Sequence, residues 1–263
     1  MLLDQPPLHP FSNTDAPPQS ANTQLAAAAT RLNVQMRHHA AHDVMRAAVE
    51  ALPRLALVSS FGAESVALLH LASRVKRDIP VLFIDTQMLF PETLAYQREV
   101  AIKLGLTRVQ VVRTNDIAAH DPDATLYKAN PDACCALRKS APLDAALKGF
   151  DGWITGRKRF QSGQRAKLPH FEAENQGNGV SARIKVNPLA FWAPEDVQEY
   201  ISENNLPRHP LVARGYPSIG CAPCTSKATP GENPRAGRWR NQSKEECGIH
   251  FANGKAIRTG AST

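Results

Sequence analysis

Residues 55–65, LALVSSFGAES, decide the fold. A short apolar run rich in Leu and Val breaks at Ser59-Ser60, passes one glycine, and gives way to a helical pattern from Glu64 to about Val75. A strand running straight into a helix is the first half of a βαβ unit. The same alternation repeats outward from this point. PVLFIDT (80–86) precedes a helix over Pro91–Leu104, RVQVVR (108–113) follows it, and a helical APLDAALKG (141–149) leads to GWITG (152–156) and RIKVNPL (183–189). Upstream, residues 23–51 carry Leu25, Leu32, Met36, Val44 and Ala48 at helical spacing and stop before Pro53, which predicts one or two helices. Strands alternating with helices of 10–15 residues predict an α/β domain with a mainly parallel sheet and helices on both faces.

In such a sheet ligands bind beyond the carboxyl ends of the strands. The turn SSFGAES presents hydroxyls and backbone N–H groups at a helix N-terminus, which suits an anion such as a nucleotide phosphate. It is neither GxxxxGK[ST] nor GxGxxG, so P-loop NTPases and Rossmann dehydrogenases are disfavoured. The second strand ends in IDTQMLFPET, where Asp85 and Thr86 either hold a ribose or adenine edge or cap the following helix.

At 263 residues with 43% apolar content, the chain can bury a substantial core. No run of 18 apolar residues suggests a membrane span, and MLLDQPPLHPFSNTDAPPQS does not read as a signal peptide, so a cytosolic protein is expected. Residues 1–22 read as a disordered leader, 23–225 as the ordered domain and 226–263 as a mobile C-terminal tail. The net charge of +7 and a pI near 9.3 point to an acidic partner: nucleic acid, an anionic surface or a phosphorylated small molecule. The basic residues gather in GRKRFQSGQRAK (156–167) and again over 235–244. Two separated clusters can converge on one compact ligand, although a solvated basic surface would carry the same charge.

Five cysteines in a reducing compartment argue against a disulfide framework. Four form two pairs, Cys134-Cys135 and Cys221-Ala-Pro-Cys224, and Cys247 stands apart in KEECGIH. The second pair has the spacing of a redox dithiol, but SIGCAPCTSKATPGE is loop on both sides. Zinc sites prefer pairs separated by two to four residues, which adjacent cysteines do not satisfy. An iron–sulfur cluster can take four thiolates from distant parts of a chain, although adjacent ligands also depart from common ferredoxin spacing. The residues alone leave these readings open.

The set SSFGAES, IDTQMLFPET, CCALRK, TGRKRFQSGQRA, GCAPCT, RAGRW and KEECGIH, in this order, resembles the assimilatory adenylyl-sulfate reductases of the 3′-phosphoadenylyl-sulfate reductase family. The resemblance spans about 190 residues, from 59 to 250. It implies an adenine-nucleotide alpha-hydrolase-like fold, a modified ATP-pyrophosphatase fold. It implies as substrate adenosine 5′-phosphosulfate, reduced to sulfite and AMP through an S-sulfocysteine at Cys247, with thioredoxin as reductant. One 4Fe-4S cluster on Cys134, Cys135, Cys221 and Cys224 is implied, as is a homo-oligomer, with no nucleic acid or membrane as partner. Motif matching assigns the phosphosulfate to Lys139, Arg165, Arg235 and Arg238, and the nucleotide to Ser59, Ser60, Gly62, Ser65, Asp85, Thr86 and Gly156. His250 reads as a surface residue of the tail.

The chain departs from the family pattern in QSG where QSP is usual, and in RWRNQSKEEC, which is shorter and less aromatic before the cysteine. Two rivals share the fold. Reductases of the 3′-phosphorylated substrate differ at a position the sequence does not identify. The tRNA-thiolating ATP pyrophosphatases carry SGGxDS, where this chain has Phe61, Ala63 and Glu64.

Overall fold

The computed structural model describes residues 21–174 and 182–240. Two helices, α1 (Ala21–Gln35) and α2 (Ala41–Ala51), precede β1 (Leu55–Ser59) and α3 (Ser65–Val75). Then follow β2 (Val81–Ile84), α4 (Pro91–Leu104) and β3 (Val109–Val112). A helical crossover of α5 (Ile117–His120), α6 (Leu126–Ala129), α7 (Pro131–Cys135) and α8 (Ala141–Ala146) leads to β4 (Gly152–Ile154). The chain closes with β5 (Phe171–Glu174), β6 (Arg183–Val186) and α9 (Pro194–Glu203).

The six strands lie in the order β3-β2-β1-β4-β6-β5. Every neighbouring pair is parallel except β5 with β6, which is antiparallel. Strand residues alternate between two apolar layers. Leu55, Leu57, Val81 and Phe83 enter a large core with α2, α3, α4 and α9, whereas Ala56, Leu82 and Ile84 meet Leu143 and Leu147 on the other face. Burial on both faces explains why these strands read as continuous apolar runs. Pro91 at the start of α4 and Gly105 at its end, with φ of +62°, bound that helix as sequence rules predict.

β1 connects to β2 on one side, and the chain later returns to place β4 on its other side. The gap between the carboxyl ends of β1 and β4 is therefore the topological switch point, where an open α/β sheet leaves a crevice.

Five elements lie outside the sequence expectations: the short crossover helices α5, α6 and α7, the strand β5 and the helix α9. β5, FEAE, is short and has the composition of a surface turn; its backbone is held by Asn33 of α1, which both donates to and accepts from Phe171 at 2.7 and 2.9 Å. α9 buries only Val197 and Ile201, one turn apart, too sparse a stripe to stand out. Residues 226–240, expected to belong to the mobile tail, fold back on 215–225. Ser226 N–H donates to the Gly237 carbonyl at 2.8 Å, Thr225 bridges Arg238, and the Trp239 side chain is buried. The remainder of that tail lies outside the described residues. No described helix is long and apolar enough to cross a membrane.

Candidate active site

β1 brings the chain to the crevice and must turn it into α3 at once. Ser59 Oγ accepts a hydrogen bond from the Phe61 N–H at 3.1 Å, and Phe61 adopts φ of +48°. A left-handed conformation is costly for an aromatic residue, and such strain gathers at functional turns. Complete burial of the Phe61 ring, edge-on to Phe83 with centroids 5.2 Å apart, offsets the cost. β2 turns by the same device: Asp85 Oδ1 accepts from the Gln87 N–H at 2.8 Å, and Gln87 takes φ of +60°. At Gly62 an added Cβ would lie 3.2 Å from the Ile219 carbonyl, so the β1–α3 turn packs closely against the segment that precedes Cys221.

A cavity of about 230 Å³ opens at this crevice. Ser59, Ser60, Gly62, Ser65, Thr86, Lys139, Gly156, Arg165, Arg235 and Arg238 all line it, together with Cys221. Residues from 59 to 238 are thus brought to one wall. Asp85 is the exception. Its buried carboxylate pairs with Arg113 at 2.7 Å and accepts from the Gln87 N–H of the turn, and it does not line the cavity.

The cavity wall carries six basic side chains, Lys139, Arg157, Lys158, Arg165, Arg235 and Arg238, and one carboxylate, Glu64. Arg157 is bound to Glu172 and to Asn187, and Lys158 Nζ lies 2.7 Å from Glu64. Burial pulls the Lys158 ammonium below its ordinary range, with Glu64 opposing. Arg165, also buried, is hydrogen-bonded to Gln161. The excess of cations gives the cavity a positive field that suits an anion. Motif matching had overlooked Lys158 and Glu64. Their signal was the basic run GRKRF, and the acid that faces it lies 94 positions earlier in the chain.

The two cysteine pairs come from the middle of the domain and from its C-terminal end. Asn130 caps α7 by accepting from the Ala133 N–H at 3.0 Å, and Pro131 occupies the first turn. After Cys135 the helix widens into a π turn over Ala136–Ser140, a distortion often found at functional sites, and this buries Arg138 and Lys139. Cys221 is held against the β2–α4 connection by its bridge to Leu89 and by the Ala222 N–H donating to the Met88 carbonyl at 2.8 Å. Its sulfur lies 3.2 Å from the Thr86 hydroxyl. Trp239 N–H donates to the Cys224 carbonyl at 3.1 Å.

All four cysteines are free thiols; Cys134, Cys135 and Cys221 are buried and Cys224 is half-buried. The pairs lie within each other's electrostatic reach. Burial foremost, then Cys135, push the Cys134 thiol up to about 11, with Arg138 opposing and Cys221 and Cys224 adding to the rise. Cys224 is raised by burial and Cys221, with Lys139 and Arg238 opposing. Among the described residues no group of three or more His, Cys, Asp or Glu side chains is arranged to hold a single metal ion. The buried side-chain polar atoms lacking a hydrogen-bond partner there are Arg138 Nε and Arg238 Nε, one beside each pair. Cys247 and His250 lie outside the described residues.

Residues 54–227 match the phosphoadenosine phosphosulfate reductase domain. The chain is 42% identical over 246 residues to the adenosine 5′-phosphosulfate reductase of Mesorhizobium japonicum, covering 92% of this chain and 94% of that protein. It is 42% identical over 238 residues to the protein of the same name from a Chelativorans species, covering 89% and 95%. Among solved structures, phosphoadenylyl-sulfate reductase from Candida auris, crystallised with phosphate, superposes with a TM-score of 0.64 at 30% identity over 76% of this chain and 96% of that one. FMN adenylyltransferase from Candida glabrata, 13% identical with a TM-score of 0.51 over 81% of this chain and 77% of its own, shares the fold alone. The chain belongs to the phosphoadenosine phosphosulfate reductase family.

Proposed function

We propose that this enzyme reduces adenosine 5′-phosphosulfate to sulfite and AMP in sulfate assimilation, with thioredoxin as the electron donor. The observation that carries the reading is the convergence of Lys139, Arg165, Arg235 and Arg238 on one cavity at the sheet's switch point, with Cys221 in the same wall. A nucleotide phosphosulfate is a compact anion, and fixed cations stabilise the charge that develops on AMP as it leaves. Ser59, Ser60, Gly62, Ser65, Thr86 and Gly156, on the same wall, would take the nucleotide. In the reaction the Cys247 thiolate attacks sulfur, the sulfur–oxygen bond to AMP breaks, and AMP departs with the electron pair. A dithiol then attacks the S-sulfocysteine, sulfite leaves, Cys247 is restored and the dithiol becomes a disulfide.

Cys134, Cys135, Cys221 and Cys224 would hold a 4Fe-4S cluster, and their chemistry fits it. Cys134 and Cys224, whose burial and neighbouring cysteines oppose ionisation, would need cationic iron to become thiolates. A cluster of several irons also spaces its ligands more widely than one ion would. With its four thiolates such a cluster would carry net negative charge, which Arg138, Lys139 and Arg238 beside the cysteines would offset. A cytoplasmic location and a homo-oligomer complete the reading.

Relatives named for the unphosphorylated sulfonucleotide are 42% identical, against 30% for the Candida auris enzyme named for the 3′-phosphorylated one. Sulfite release with thioredoxin, measured on both substrates, tests the choice. Faster turnover of adenosine 5′-phosphosulfate is expected, and a preference for the 3′-phosphorylated compound would overturn it. Cys247→Ser should bind substrate yet show no sulfo-adduct by intact mass. Purified protein should contain about four iron and four acid-labile sulfide per chain.

A further inference from the structure

Arg138 is the most deeply buried basic residue in the cysteine region, 2% exposed, and it stands one helical turn after Cys134 within the π turn. Its Nη2 donates to Asp121 Oδ2 at 2.6 Å, in an ion pair whose side chains are 3% and 2% exposed. Asp121 is itself fixed: its other oxygen accepts from the Thr125 and Leu126 N–H groups, both at 2.9 Å. Arg138 Nη1 donates to the Thr86 carbonyl at 3.0 Å, and the hydroxyl of the same threonine lies 3.2 Å from Cys221 Sγ. One guanidinium therefore spans the helix that carries the first cysteine pair and the turn that touches the second. Its Nε–H is buried without a partner. A lost hydrogen bond at a buried donor is costly, so an orphan in this position implies an acceptor that binds there.

We propose that Arg138 is a positioning residue for the four-cysteine centre, locking the two cysteine pairs together through Asp121 and Thr86 and offering Nε–H to a sulfur of the bound group. The inference rests on the cluster reading above and deepens it. It assigns Arg138 a task distinct from that of its neighbour Lys139, which lines the anion cavity as Arg138 does not. A planar fork with three separate directions is required, so lysine cannot replace it even though the charge is retained.

The experiment compares wild-type enzyme with Arg138→Lys, Asp121→Asn and Arg183→Lys, each as full-length protein. Arg183 is equally buried, paired with Glu174 of β5 and Asp144 of α8, and serves as the control for loss of a buried ion pair. Iron and sulfide content, the rate of iron loss to a chelator, and iron–sulfur stretching frequencies by resonance Raman are measured beside thermal stability. Outer partners of a metal site typically contribute 10- to 100-fold to retention, so Arg138→Lys and Asp121→Asn are expected to lose iron about 10- to 100-fold faster than wild type. Arg138→Lys should also shift the stretching frequencies, whereas Arg183→Lys, though destabilised, should keep wild-type values of both. Wild-type iron retention and frequencies in Arg138→Lys and Asp121→Asn would overturn the proposal, as would equal losses in Arg183→Lys. If Arg138→Lys does not fold, Asp121→Asn decides by the same two readouts. Wild-type protein without iron and sulfide would instead overturn the cluster reading and this inference with it.

Discussion

At the residue scale, the site is built from side chains whose roles diverge sharply between neighbours in sequence. Asp85 and Thr86 are adjacent, yet one is spent on Arg113 and a turn while the other lines the cavity and touches Cys221. Arg138 and Lys139 divide in the same way. If the cavity cations bind a phosphosulfate, Lys139→Ala and Arg235→Ala should each lower kcat/KM about 10- to 100-fold, the worth of one charge-assisted hydrogen bond, with little change in thermal stability. His209 offers a separate test of folding. It is buried, its Nδ1 accepting from the Leu211 N–H at 3.2 Å and its Nε2 lying 3.0 Å from the Thr93 hydroxyl, and burial lowers its pKa from 6.5 to about 4. Between those values the unfolded chain binds a proton that the folded one refuses. Stability should therefore be full above about pH 6.5 and fall as the pH drops toward 4, with no further loss from this group below. Thermal melts across that window should show the decline, and His209→Gln should flatten it.

At the element scale, legibility followed the strength of the apolar signal. β1, β2, β3, β4 and β6 were readable because their runs are apolar or β-branched and each is bounded by a turn or a helical pattern. β5 was not, because FEAE offers the core only Phe171 and the partly buried Ala173, and exists by virtue of β6 on one side and Asn33 on the other. That arrangement predicts that Asn33→Ala, which removes two hydrogen bonds to the Phe171 backbone, costs about 1–3 kcal/mol. Hydrogen exchange should quicken in β5 and leave β1 unchanged; equal protection in both would show that the edge strand does not depend on α1. The turns at the ends of β1 and β2 were visible as Ser and Asp positions, but the left-handed conformations of Phe61 and Gln87 were not, since neither residue type favours them.

At the scale of the whole molecule, the basic character of the chain is concentrated where six cations face one carboxylate. Raising ionic strength from about 0.05 to 0.3 M shortens the screening length to well under 10 Å, so KM for the anionic substrate should rise several-fold. The buried Arg138–Asp121 pair is out of reach of salt, and the melting temperature should scarcely move. The sequence by itself determined the alternation of strands and helices, the anion-binding turn, the two cysteine pairs and the family motifs, because these depend on local propensity and short spacing. Which cations share a cavity, which are already paired, and how the pairs meet across the Thr86 turn depend on contacts between residues 52 to 135 positions apart. Such contacts follow from strand order and packing, which local sequence does not encode. Only the tertiary structure therefore turns Asp85 toward Arg113, adds Glu64 and Lys158 to the cavity wall, and sets Arg138 between the helix of the first cysteine pair and the Thr86 turn.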